Sequence, residues 1–261
     1  FRPGRTGLNS IFTKAADNGW TGFGKLLKGG SSHTSIARFL IEQFEQRGPR
    51  PVFSEGKLWE FKATHWIPLS NKQVRGVVQD LDGIIVNNQR LKANKSLIDG
   101  TLNELYSMCE HEDFFENPSL GINCKNGFIA LSASGEVRLV PHSSSQAQRH
   151  VLNIDWRPDI DASNAELLNA LFNGCFADNT EAFGLRRLVL QILGIACSGA
   201  SKFLKEPKAF ICYGQSGANG KSEILNLLRT FLPKTSVAAI TPEDLNSPQH
   251  LATLAGKLAR K

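Results

Sequence analysis

The sequence predicts a chain in two parts: an α+β N-terminal region up to about residue 200, followed by the start of an α/β domain. Three observations predict this division. Before residue 200, segments with helical apolar periodicity alternate with short aromatic-rich segments of strand type. After residue 200, a short apolar run, a glycine-rich loop and an amphipathic helix follow one another. With 261 residues, the chain is long enough for two modest domains, each with its own core.

The first elements are a helix and a hairpin. Residues 34–46 place four apolar side chains on one helical face, and Gly48 and Pro49 end the pattern. Residues 58–69 alternate in polarity and are rich in aromatic side chains, which is typical of a small β-hairpin. Residues 70–116 are polar, and we expect them to be mostly helical. The four apolar residues of the first helix are Ile36, Phe39, Leu40 and Phe44.

A β-meander and two helices complete the α+β region. For residues 121–141 the dipeptide Asn126-Gly127 is a strong signal for a two-residue hairpin turn, and Ser134-Gly135 marks a second turn. Residues 159–199 are predicted to be helical. Ser163 with Glu166 and Asp178 with Glu181 mark the two helix starts. The apolar residues on one side of the first helix are Leu167, Leu168, Leu171 and Phe172, and those after the second start are Leu185, Leu188, Val189, Ile192 and Leu193.

The segment 208–231, KAFICYGQSGANGKSEILNLLRTF, has the order of elements that a phosphate-binding P-loop requires. Residues 209–213 are predicted to form a buried strand, residues 214–222 a glycine-rich loop, and the following residues a helix. A second buried strand is predicted at 237–240, and a last helix from about Pro248. The usual motif has glycine where Gln215 stands, and a glycine lies one place earlier at Gly214. A helix-capping turn that happens to contain Gly-Lys-Ser is the structural alternative.

The residue types of this loop suit a nucleoside triphosphate with Mg²⁺. Backbone N–H groups from Gly217 through Ala218 and Asn219 to Gly220 would cradle the phosphates, helped by the start of the following helix. Lys221 would neutralise the β- and γ-phosphate charge, and Ser222 would place its hydroxyl on the Mg²⁺ ion. Glu223 adds a negative charge near the metal. Lys221 and Ser222 are therefore the candidate catalytic residues.

Composition narrows the possible partners and compartments. The net charge is +6, and residues 1–50 hold an excess of five positive charges, which suits either a polyanion such as DNA or a solvated linker. The five cysteines form no C-x-x-C pair, which favours reduced thiols in the cytoplasm. No signal peptide or membrane-spanning run is visible, so no membrane partner is expected.

Four stretches resemble the superfamily 3 helicases of phages, plasmids and large DNA viruses, the primase-helicase type with an AAA+ core. Residues 216–222, SGANGKS, are similar to the Walker A loop of that family. Residues 125–131, KNGFIAL, followed by 140–143, VPHS, look like the strand-rich domain before the helicase core. The residues 191–194, QILG, look like its last helical segment. Residues 11–21 resemble the element that ends the primase half.

This resemblance implies a domain arrangement and an activity. Residues 1–31 would be a basic linker at the end of the primase-associated element. Residues 32–200 would form the collar or adaptor domain, and 201–261 the first part of the P-loop NTPase domain, AAA+-like. The parent protein would be an ATP-dependent replicative DNA helicase that acts as a homo-oligomeric ring, a hexamer, on single-stranded or forked DNA in a bacterial host or virus-infected cell. The Walker B strand, the sensor and the arginine finger would lie beyond Lys261, so we expect this piece alone to be inactive.

Two other functions fit the same residues. One is a different P-loop NTPase motor, such as a packaging or partition motor, which shares the loop but leaves the KNG meander unexplained. The other is a non-catalytic DNA-binding or assembly module in which the loop is unused. Binding of ATP separates the catalytic classes from the non-catalytic one.

Overall fold

The computed structural model describes residues 32–86, 88–132, 134–160, 165–176, 180–198, 200, 210–213, 220–232, 237, 241, 243 and 246–249. The chain divides into two compact units, Phe1–Asn117 and Pro118–Lys261. Residues 32–200, expected as one domain, extend over both units. Each unit is described separately below.

The first unit has a helical core. Helix α1 (His33–Glu45) begins at Ser32, whose Oγ accepts a hydrogen bond from the Ser35 N–H at 3.2 Å. Its apolar face packs on α3 (Lys95–Met108), and α2 (Asn71–Gln79) also contacts α3. The predicted helix at 34–46 is therefore confirmed. The core side chains include Ile36, Leu40, Val74, Val78, Leu81, Ile98, Leu102 and Leu105.

Two contacts fix α1 against α3. A β-carbon on Gly100 would fall 2.3 Å from Nδ1 of His33, so the absence of a side chain at position 100 lets the imidazole ring lie directly on α3. One residue further along α1, the Thr34 hydroxyl donates a hydrogen bond to Oε2 of Glu104 at 3.0 Å. The N-terminal end of α1 is therefore held on α3 by a close steric fit and a directed bond.

An antiparallel sheet in the order β1-β2-β3 lies beside this helical core, with strands Val52–Ser54, Lys57–Phe61 and Trp66–Leu69. The predicted hairpin at 58–69 is confirmed as β2 and β3, with Leu58 opposite Leu69. Strand β1 was not predicted. It joins β2 through Glu55 and Gly56, which both have positive φ values, +53° and +69°, as a tight hairpin turn requires.

Aromatic side chains form a second buried cluster against this sheet. The ring centroids of Trp66 and Phe114 lie 5.0 Å apart, and those of Trp59 and Phe115 lie 4.6 Å apart. Both tryptophans are 2% exposed. The expected helical character of residues 70–116 is interrupted by a two-stranded hairpin, β4 (Ile85–Val86) and β5 (Gln89–Arg90), between α2 and α3.

The second unit contains the predicted β-meander: β6 (Gly121–Cys124), β7 (Gly127–Leu131) and β8 (Val137–Val140), all antiparallel. The first turn differs from the prediction by one residue. Its two central residues are Lys125 and Asn126, and Gly127 is the first residue of β7, paired with Cys124. A side chain at Gly127 is excluded because its β-carbon would lie 2.8 Å from both the Leu139 side chain and the Val140 carbonyl oxygen.

Three helices follow the meander: α4 (Glu166–Phe176), α5 (Ala182–Ser198) and α6 (Lys221–Phe231). Helix α4 packs on α5, and Arg186 of α5 lies over the buried Phe172 ring at 5.3 Å. Not all apolar residues of these helices are buried: Leu167 of α4 is 90% exposed, and Leu188 of α5 is 43% exposed. The predicted capping residues Ser163 and Asp178 lie outside the described residues.

Candidate nucleotide-binding site

Helix α6 begins where the motif predicts, at Lys221. Gly220 immediately precedes it with a φ of +76°, and the Gly220 carbonyl oxygen accepts the Ile224 N–H at 3.0 Å. Because the first N–H groups of a helix have no partner within it, the start of α6 offers donors to an anion. Ile224 is buried and anchors the first turn.

The side chains at the start of α6 differ in exposure. Lys221 is half-buried, whereas Ser222 and Glu223 are exposed. Glu223 lies in the first turn and Arg229 in the last, so both charges are placed favourably for the helix dipole. Of the predicted site residues, the structure therefore brings Gly220, Lys221, Ser222 and Glu223 together at one helix end. Gly217, Ala218 and Asn219 lie outside the described residues.

Cys175, in the last turn of α4, lies against Gly220. A β-carbon on Gly220 would lie 2.1 Å from Sγ of Cys175, a distance that no real side chain tolerates. Burial raises the pKa of the Cys175 thiol, and the Glu223 carboxylate raises it further, so the thiol stays protonated. Gly220 is thus required by its backbone conformation and by the packing of α4. Sequence reasoning missed Cys175, because no local pattern marks a residue that approaches the loop from another helix.

The predicted strand before the loop is wrong over the residues that can be described. Residues 210–213 belong to no strand, and their side chains are exposed, with Ile211 at 89% and Tyr213 at 84%. A strand needs a neighbour for its backbone hydrogen bonds, and every strand pair in the described part of the chain is an antiparallel pair of the meander or of the first unit. Of the second predicted strand, 237–240, only Val237 is described, and it is not in a strand.

An apolar cavity of about 490 Å³ lies between the meander and α5 in the same unit. Its wall includes Ile122 and Leu131 from the sheet, Leu188 and Ile192 from α5, and Phe210. Since its walls are almost wholly apolar, the cavity offers a polyphosphate no partner, and we do not assign the nucleotide to it.

The described residues contain no cluster of three His, Cys, Asp or Glu side chains that could hold a metal ion. This observation does not bear on the predicted Mg²⁺ contact, since a P-loop contributes only one hydroxyl to the ion. Among the same residues, no helix is both long enough and apolar enough to cross a bilayer. The chain matches no protein-family model and no curated protein.

Proposed function

We propose that this chain is part of an ATP-dependent replicative DNA helicase of the primase-helicase type, from a phage, plasmid or other mobile element. The observation that carries the proposal is the sequence from Gly217 to Ser222, in which Gly220 directly precedes a helix that begins at Lys221. The left-handed conformation of Gly220 supports it, because a P-loop needs such a residue where the loop enters the helix.

The roles of the residues follow from their positions at the start of α6. The helix N–H groups and Lys221 would bind the phosphates of ATP, and Ser222 would contact Mg²⁺, which shields the phosphate charge when it is bound. Glu223 lies one residue further into the helix and lowers the positive potential there. The partners are single-stranded or forked DNA and further copies of the chain in a hexameric ring.

Titration with Mg²⁺ and a fluorescent ATP analogue tests the nucleotide site. We expect Lys221→Ala to weaken binding at least about tenfold, since a charge-assisted contact contributes about 1.5–3 kcal/mol. The fold should be retained, because the buried side chain in this first turn is Ile224 and not Lys221. Arg229→Ala is the matched control, as it removes an exposed cation from the other end of the same helix. Equal binding by Lys221→Ala and the unsubstituted protein contradicts the proposal.

A non-catalytic assembly module is the second candidate, and one observation favours it. Phe210, Ile211 and Tyr213 expose large apolar surfaces next to the loop where a nucleotide-binding domain would bury a strand. Such a segment is suited to association with another chain. In that case the unsubstituted protein associates but binds no ATP analogue, so the same titration separates the two functions.

A further inference from the structure

Residues 153–160, which we call the Trp156 strip, form an exposed segment after the meander. Every residue of the strip is exposed, including Ile154, Trp156 and Ile160. Trp156 is 36% exposed, whereas the other two described tryptophans, Trp59 and Trp66, are buried in the first unit. No other ring in the described part of the chain stacks on the Trp156 indole. Part of a large aromatic residue is thus accessible to a ligand.

The strip is fixed to the first turn of the meander by hydrogen bonds to its own backbone. The Asn126 side-chain amide donates to the Trp156 carbonyl oxygen at 2.9 Å, and its Oδ1 accepts the Trp156 N–H at 2.9 Å. The Lys125 N–H donates to the Ile154 carbonyl oxygen, also at 2.9 Å. The indole therefore does not depend on a free loop for its position, and ligand binding need not order its backbone.

Two exposed cations belong to the strip or to the turn that holds it. Lys125 lies in the turn that holds the strip, and Arg157 follows Trp156 directly; both are exposed, and neither forms an ion pair with a described residue. The strip also contains Asp155 and Asp159. Burial raises the pKa of the Cys124 thiol, and the Asp155 carboxylate raises it further, so Asp155 lies within electrostatic reach of the sheet although the residue is exposed. An exposed indole, with one cation next to it in sequence and another in the turn that holds its backbone, matches the base and phosphates of a nucleotide chain.

We propose that the Trp156 strip binds single-stranded DNA, with a base stacked on Trp156 and phosphates held by Lys125 and Arg157. The inference rests on the proposed function in so far as that function supplies DNA as the partner. It does not involve the P-loop, since no residue of the strip lies at the start of α6. Binding by stacking tolerates any base, as a strand that moves through a helicase requires.

The test is the fluorescence anisotropy of a short labelled oligo(dT) titrated with the 261-residue chain. We expect Trp156→Ala to weaken binding by about five- to a hundredfold, the range found for loss of one stacked base. Trp156→Phe should retain most of the affinity because it keeps an aromatic face. Trp156→Leu should lose it, and retention of binding by Trp156→Leu overturns the stacking proposal.

The salt dependence tests the two cations separately. Lys125→Ala and Arg157→Ala should each reduce the slope of log K against log salt by about 0.7, the value for one phosphate of a single strand. Lys72→Ala is the matched control, an exposed lysine of the first unit whose loss should leave the slope unchanged. Circular dichroism confirms that each variant is folded.

The outcomes also separate this inference from the proposed function. If the unsubstituted chain binds DNA and Trp156→Ala binds it equally well, the strip is not the site, and the helicase proposal is unaffected. If the unsubstituted chain binds no single-stranded DNA, the result contradicts DNA as the partner in both proposals. ATP binding is measured independently and can succeed in either case.

Discussion

At Gly220, a neighbouring thiol lies 2.1 Å from the position that a β-carbon would take, and the backbone has a φ of +76°. The two facts impose separate costs on any other residue. A left-handed conformation costs an L-residue about 1–2 kcal/mol, whatever lies nearby. The contact with Cys175 adds a steric cost that depends on α4 alone.

A double-mutant cycle separates these two costs. Gly220→Ala should destabilise the second unit by more than the conformational cost, because both terms apply. In Gly220→Ala with Cys175→Ala the sulfur is absent, and only the conformational cost of about 1–2 kcal/mol should remain. Urea unfolding of the single and double variants measures the coupling. Purely additive free energies would show that the thiol does not touch residue 220.

The Cys109 thiol makes the stability of the first unit depend on pH. Burial raises the pKa of this thiol to about 11, more than the neighbouring Arg50 lowers it. Its ordinary value of 9.0 applies in the unfolded chain, so between about pH 9 and pH 11 the folded state holds a proton that the unfolded state releases. The stabilisation is complete below pH 9 and is lost as the pH rises through 11.

The measurement is the free energy of unfolding as a function of pH for the unsubstituted protein and for Cys109→Ala. The difference between the two should fall with a slope of at most about 1.4 kcal/mol per pH unit in this window, and be constant below it. Taking the difference removes the titration of lysines and tyrosines common to both. A difference that stays constant to pH 11 would mean that the thiol is not desolvated.

At the scale of elements, the meander and the Trp156 strip are joined chiefly through one side chain. Asn126→Ala removes both hydrogen bonds to the Trp156 backbone. We expect the free energy of unfolding to fall by about 1–3 kcal/mol, since each of the two bonds contributes about 0.5–1.5 kcal/mol. Hydrogen exchange at the Trp156 amide should accelerate while the β6–β7 amides stay protected. Asn103→Ala, an exposed asparagine of α3 in the other unit, is the control and should change neither.

Which elements the sequence predicts depends on how local their cause is. Helix α1 and the β6–β8 meander are predictable because apolar spacing and turn residues lie within each element. The turn at Lys125-Asn126 is shifted from the expected Asn126-Gly127, since Asn126 is engaged by a residue far along the chain and Gly127 is needed where Leu139 packs. Strand β1 has a usable signal, the dipeptide Glu55-Gly56 between the apolar pairs Val52-Phe53 and Leu58-Trp59.

In the candidate site too, the sequence predicts only those features whose cause is local. Lys221 at the start of α6 is predictable, since glycine followed by a helical apolar pattern is a local signal. Residues 210–213 are apolar enough for a buried strand, but a strand also needs a partner, and apolarity does not supply one. Cys175 is beyond local reasoning altogether, because its contact with Gly220 arises only when α4 meets α6.

For the whole molecule, the division at Asn117 has a direct consequence. The first unit has its own helical core and aromatic cluster. Residues 32–117 produced alone should therefore unfold in one cooperative transition, with the tryptophan emission of a buried indole. Val78→Asp places a charge in this core and should abolish the transition. A fragment that shows no cooperative unfolding would mean that the first unit depends on the rest of the chain.

The contact of His33 with Gly100 determines the alignment of α1 along α3, which the burial of apolar surface alone does not determine. Sliding α1 along α3 by one turn, about 5.4 Å, would leave its apolar face pointing in almost the same direction. The hydrophobic effect, which has no directional preference, distinguishes these two alignments poorly. A ring that fits only where α3 has no side chain, together with a hydroxyl that reaches Glu104 only in the same alignment, distinguishes them by shape and direction. The uniqueness of the packed state thus depends on a position that contributes no apolar surface of its own.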